Sequence, residues 1–186
     1  MPTAKSTANE EAQESQMNDR VLCLGNSLIA DDGLGPAVAQ ILRENPLPDV
    51  EIIETAETGF YLLDYLLGCR RLVVIDAIAG GSDPPGTIRQ LRPPDSSRAG
   101  ESDTPIAPGS SPHGVGLFEA LAAGRQMHLP VPEQVAILAV EVEDLTTIGG
   151  AMSPAVREAI PHVVELVQKT LSLPQRQSPA ATKPAQ

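Results

Sequence analysis

The sequence predicts an α/β protein: a three-layer sandwich built on a mostly parallel, twisted sheet. Three observations carry this. Short apolar runs alternate with helical patterns through the middle of the chain. Several of the runs are continuous rather than alternating, as strands buried on both faces are. The helical segments carry single apolar stripes, each suited to covering one face of a sheet.

The elements follow in order. Residues 20–25 form an apolar run ending in Gly25, which reads as a buried strand. A helix comes next, with Leu34, Val38, Ile41 and Leu42 on one face. Residues 50–55 read as a second strand, and residues 60–68 as a short helix closed by Gly68. Residues 72–76 are a β-branched run ending in Asp76 and make the best central strand. Residues 86–91 supply a fourth strand. A further helix starts near His113 and ends at Gly124, and residues 134–140 form another apolar strand. Ser153 offers an N-cap with Pro154 at the first helical position. The last helix then carries Val156, Ile160, Val163, Val164, Val167 and Leu171 on one stripe.

Composition along the chain also sets the domain limits. Residues 20–173 make one domain, large enough for its own core. Residues 1–19 and 174–186 are polar or rich in Pro, Gln and Ala, and read as disordered tails. Residues 92–112 form a long loop rich in Pro, Ser, Gly and Asp, a length that goes with either function or disorder.

Composition narrows the function classes. The net charge of −11 repels phosphate backbones, so neither nucleic acid nor an anionic membrane is expected as a partner. A metal ion or a basic peptide suits that field better. Aromatics are 2% of the chain and Trp is absent, so aliphatic residues must fill the core. Cys23 and Cys69 lie in or beside apolar runs and are expected to be buried free thiols. No apolar run is long enough to span a membrane, and residues 1–19 lack the apolar centre of a signal peptide. The cytoplasm is the default location, and a monomer the default state.

In a parallel α/β sheet, ligands gather beyond the carboxyl ends of the strands. Asp31 and Asp32 follow the first strand, Asp76 ends the third, and His113 opens the helix after the long loop. Carboxylates and imidazole together are ligands for zinc, nickel and similar ions. Each also has a structural role open to it. Asp31 and Asp32 could satisfy a turn, Asp76 could cap a strand end, and His113 could cap a helix. Other templates are missing. There is no Gly-x-Ser-x-Gly elbow and no His-Glu-x-x-His, and two acids in the 25–35 turn would repel a phosphate.

Taken together, these motifs resemble a known family. Residues 24–35, Leu-Gly-Asn-Ser-Leu-Ile-Ala-Asp-Asp-Gly-Leu-Gly, are similar to the N-terminal motif of the nickel–iron hydrogenase maturation peptidases. Asp76-Ala77 and residues 111–117, Ser-Pro-His-Gly-Val-Gly-Leu, resemble its second and third motifs. Glu57-Thr58-Gly59 and Val142-Glu143-Asp144-Leu145 fit weaker positions. The resemblance covers residues 21–171 with the order intact. It implies a phosphorylase/hydrolase-like fold and an endopeptidase that trims a C-terminal extension from the hydrogenase large-subunit precursor after nickel insertion. It implies a metal-binding trio of Asp32, Asp76 and His113, which would also be the catalytic set. Some members carry Glu at the first position, where Asp32 keeps the charge with a shorter reach. Asp31, Asn26, Glu57 and Glu143 are implied as supporting or substrate-contacting residues. The nickel would arrive with the precursor rather than reside in the free enzyme. A competing expectation is a non-catalytic chaperone that binds nickel or the precursor and cuts nothing.

Overall fold

A computed structural model of the chain describes residues 18–81, 83–91 and 114–172. Residues 1–17, the 92–112 loop, His113 and the 174–186 tail lie outside the described residues. The strands are β1 (Asp19–Leu24), β2 (Val50–Thr55), β3 (Arg71–Ile78), β4 (Ile88–Leu91) and β5 (Gln134–Glu141). The helices are α1 (Leu34–Glu44), α2 (Leu63–Leu66), α3 (Gly114–Gln126) and α4 (Pro154–Ser172). Tight 3-10 turns at Asp31–Gly33 and Gly59–Leu62 lead into α1 and α2.

The strands form one sheet in the order β2-β1-β3-β5-β4. The first four are parallel, and β4 pairs antiparallel with β5 at one edge. The expected α/β sandwich with a mostly parallel sheet is therefore the observed one. Val21, Cys23, Val73, Ile75, Leu138 and Val140 project to one face, into a core shared with α1 and α4. Leu22, Leu24, Leu72, Val74, Ile137 and Ala139 project to the other, against Leu62, Leu66, Leu117 and Leu121. Both faces are buried because successive residues of a strand point to opposite sides and both sides carry helices.

The chain departs from the sequence expectation in small ways with clear causes. β1 begins at Asp19, so the domain starts one residue before the limit that composition suggests. Asp19 is buried and accepts hydrogen bonds from the Arg70 Nε at 3.1 Å and the Arg71 Nε at 3.0 Å. A guanidinium from Arg71 also reaches the Leu171 carbonyl at 2.8 Å, so this cluster ties β1, β3 and the end of α4 together. β1 stops at Leu24, before Gly25. Gly25 turns the chain with φ of +137°, and a side chain there would overlap the Asp32 carbonyl. Gly35 lies against the Leu24 carbonyl as closely, which lets α1 pack directly over the end of β1. Ser153 marks the start of α4 through its backbone: its carbonyl accepts the Arg157 N–H at 3.0 Å, while its hydroxyl makes no hydrogen bond among the described residues. Cys23 and Cys69 are buried free thiols. Burial pushes the Cys23 thiol up to about 12 and raises Cys69, so neither offers a thiolate at neutral pH.

α4 contains Pro161 in its eighth position, on an exposed face. Proline there leaves the Arg157 carbonyl without its helical donor. Pro161→Ala is expected to stabilise the protein by about 2 kcal/mol, a rise of about 6 °C in melting temperature. A thermal melt that is unchanged or lower would show that the proline is matched to a bend the packing needs.

Candidate active site

The strand order reverses at β1. β2 lies on one side of it, and the chain then crosses back to place β3 on the other. A crevice opens at such a switch point, beyond the carboxyl ends of the two strands. Asp32 and Asp76 both lie at these strand ends. β1 ends at Leu24, one residue beyond the last paired residue Cys23, which faces Ile75. Asp76 is therefore level with the rim of β1, although β3 runs on to Ile78 beside β5 and does not end at Asp76 as the sequence suggested. Alternation along β3 points the Asp76 side chain to the α3 face, with Val74 and Ile78. Asp76 is buried at 1% exposure. The Asp31–Gly33 turn packs against β3, and the Asp32 carboxylate accepts the Asn26 N–H at 2.8 Å, bracing the turn that follows Gly25.

Asp31 and Asp32 are adjacent but do different things. Asp31 is fully buried. One of its oxygens accepts the Ser153 N–H at 2.6 Å, and the other accepts those of Glu143 and Asp144 at 3.2 and 3.1 Å. Its own N–H donates to the Asp144 carbonyl at 3.0 Å. Asp31 thus clamps the turn after β1 to the loop after β5. It stands one residue before Asp32 and holds the turn that carries it. A short antiparallel bridge from Ile29 to Ile148 reinforces the same junction.

The other expected residues divide. Asn26 serves the turn: its side-chain oxygen accepts the Leu28 N–H at 3.0 Å. Glu143 contributes its backbone to the Asp31 clamp and exposes its side chain. Glu57 is exposed on the loop after β2, where its N–H donates to Thr55 Oγ1 at 3.1 Å. Neither glutamate is drawn into the buried set. Asp144 is ionised throughout the neutral range, because hydrogen bonds from Thr147, then Thr146, hold its carboxyl down at about 2. His113 immediately precedes α3 in the chain and lies outside the described residues. Among the described residues, no three His, Cys, Asp or Glu side chains gather as a metal set.

Sequence reasoning missed Glu141. It ends β5 on the same face as Asp76, buried, with one oxygen accepting the Gly81 N–H at 2.6 Å and the other 3.7 Å from Arg89. Arg89 in turn pairs with Asp83 at 2.7 Å. The signal was present: like Asp76, Glu141 is an acid that interrupts an apolar run. It holds the loop after β3 down on the sheet. A groove of about 640 Å³ beside α1 takes in Ser27, Gly33, Arg43 and Met152, but neither Asp32 nor Asp76.

The model of the hydrogenase maturation protease family, HycI, matches residues 36–170. The chain belongs to that family. It is 31% identical over 165 residues to the hydrogenase expression/formation protein HupD of Bradyrhizobium diazoefficiens, covering 85% of this chain and 81% of that one. It is 30% identical over 155 residues to the hydrogenase 2 maturation protease of Escherichia coli K12, covering 81% of this chain and 88% of that one. Among solved structures, the hydrogenase-maturating endopeptidase HybD from E. coli superposes with a TM-score of 0.66 at 27% identity, over 83% of this chain and 92% of HybD. This hydrogenase maturation protease is accordingly an enzyme, a peptide-bond hydrolase. Among its described residues, no helix is long and apolar enough to cross a membrane.

Proposed function

We propose that this protease removes the C-terminal extension of a nickel–iron hydrogenase large-subunit precursor once nickel has been inserted. The observation that carries the reading is the placement of two buried carboxylates, Asp32 and Asp76, forty-four positions apart in sequence, at the carboxyl edge of adjacent central strands where the order reverses. Acidic oxygen donors suit a divalent ion, and the resemblance of residues 111–117 to the family's third motif supports His113 as the imidazole that would complete them. The nickel belongs to the substrate. Asp32, Asp76 and His113 meet it as it sits in the precursor, so that only a loaded precursor is held with its scissile bond in place. The trio recognises and positions; binding energy gained at the metal orients the peptide for hydrolysis.

The test mixes the purified enzyme with nickel-loaded and nickel-free precursor and follows the size of the large subunit on a gel. Cleavage of the loaded form alone is expected. Equal cleavage of both forms removes the nickel check. Normal processing by Asp32→Ala and His113→Ala removes those residues from the mechanism.

A further inference from the structure

The chain is poor in large apolar side chains at its surface, and those it has are concentrated in one place. Among the described residues, the exposed large hydrophobics are Leu28 at 67%, Phe60 at 63%, Tyr61 at 72%, Met127 at 64% and Ile148 at 80%. Four of the five lie on the loops that leave the carboxyl ends of β1, β2 and β5, the edge that holds Asp32 and Asp76. The chain has only two Phe and two Tyr, so half of its aromatic residues stand side by side in solvent on this rim. Isolated exposed apolar residues are ordinary, but a cluster around a crevice marks a contact surface.

The geometry gives the rim two lips. The Ile29–Ile148 bridge carries the β1 loop across to the β5 loop, and the Gly149 N–H donates to the Leu28 carbonyl at 2.7 Å. That holds Leu28 and Ile148 on one lip. Phe60 and Tyr61 occupy the Gly59–Leu62 turn, which packs on the first half of α3, the helix on the Asp76 face. Both lips are held by backbone contacts and present their side chains outward. The charge is one-sided. The three loops, residues 26–30, 56–61 and 142–150, contain Glu57, Glu143 and Asp144 and no Lys, Arg or His.

From these placements we infer that Leu28, Ile148, Phe60 and Tyr61 form the docking surface for the large-subunit precursor, gripping an apolar stretch whose flanks are basic. The inference rests on the precursor-processing function proposed above. Aromatic anchors supply contact area at little entropic cost, and the acids at the lips choose the sign of what lies beside it. The apolar grip and the check on the metal are then separate in the molecule: the lips hold the peptide, and the buried acids orient it for turnover.

The experiment measures steady-state processing of the nickel-loaded precursor by the full-length chain and by two double variants, Phe60→Ala/Tyr61→Ala and Leu28→Ala/Ile148→Ala. All four side chains are exposed, so melting temperatures within about 3 °C of the parent are expected. KM should rise about 10-fold in each variant while kcat stays within about twofold, the pattern of lost uniform binding. Raising salt from about 0.05 to 0.5 M should raise the parent KM several-fold, because exposed charges are screened. Single variants Tyr61→Ala and Ile148→Ala repeat the measurement should a double variant melt early. A kcat that falls at unchanged KM, or a KM that does not move, overturns the docking surface while leaving the processing activity standing. So does a parent that dimerises by light scattering and becomes monomeric in the variants with KM unchanged, since a second copy is then the occupant. A parent that leaves the loaded precursor uncut fails at the earlier step and removes the function on which the inference rests.

Discussion

Asp31→Ala is expected to lower the stability of this hydrogenase maturation protease by about 4 kcal/mol, a loss of about 10 °C in melting temperature. The carboxylate is fully buried and accepts three backbone N–H groups, from Glu143, Asp144 and Ser153. Alanine would leave three buried donors without an acceptor, and each such donor costs on the order of 1–3 kcal/mol. Asp31→Asn is expected to recover less than half of this. One carboxylate oxygen serves Ser153 and the other serves Glu143 and Asp144, so an amide must turn its NH2 toward a donor whichever way it is flipped. Chemical denaturation read by circular dichroism measures both. A midpoint for Asp31→Ala within error of the parent would show that the clamp contributes nothing net. The expected loss has a reason beyond the single residue. Asp31 joins two loops on which Asp32 and the rim residue Ile148 sit, so its removal loosens the whole carboxyl edge.

Much of this fold could be read from local pattern. The strands over residues 72–76 and 134–140 are apolar on both faces because both faces are covered, and a continuous β-branched run of that length suits a doubly buried strand better than an edge or a loop. The stripe of Val156, Ile160, Val163 and Val167 gave the last helix in the same way, and all four are buried. What stayed hidden depends on partners far along the chain. Asp31 and Asp32 are indistinguishable as letters. One becomes a clamp because the loop after β5 brings three N–H groups to it, and that loop lies more than a hundred residues away. Asp19 has the sequence character of a polar tail, and the β2 ladder together with Arg70 and Arg71, at the start of β3, draws it into the sheet. Phe60 and Tyr61 read as the start of a helix, where apolar residues usually turn inward. They fall in a 3-10 turn instead, and its tighter winding leaves them outside. The motif strings were legible on different grounds: Gly25 and Gly35 are fixed by backbone approach, which tolerates almost no other residue.

Asp76→Asn is expected to have the opposite profile to Asp31→Asn: the fold persists and processing falls by at least about 100-fold. Asp76 stands in mid-sheet, its backbone paired with Ala139 and its side chain on the α3 face between Val74 and Ile78 in the alternation. Asparagine preserves that volume and keeps polar atoms in the same positions, so the melting temperature should stay within about 4 °C of the parent. What it removes is the negative charge. A neutral amide is a poor ligand for a divalent ion beside an anionic carboxylate, and the grip on a nickel-loaded precursor would weaken where the peptide must be oriented. The loss should appear in turnover of loaded precursor, with little change in the apolar docking measured through Phe60 and Tyr61. If Asp76→Asn melts like the parent and processes at the parental rate, Asp76 is a buried strand residue satisfied by its surroundings and the buried pair does not work on the substrate. If it unfolds, Asp76→Glu separates the two roles: a retained charge on a longer arm restores stability only if charge was what the fold needed. The two aspartates, Asp31 and Asp76, thus give a paired measurement in which stability and processing respond in opposite order.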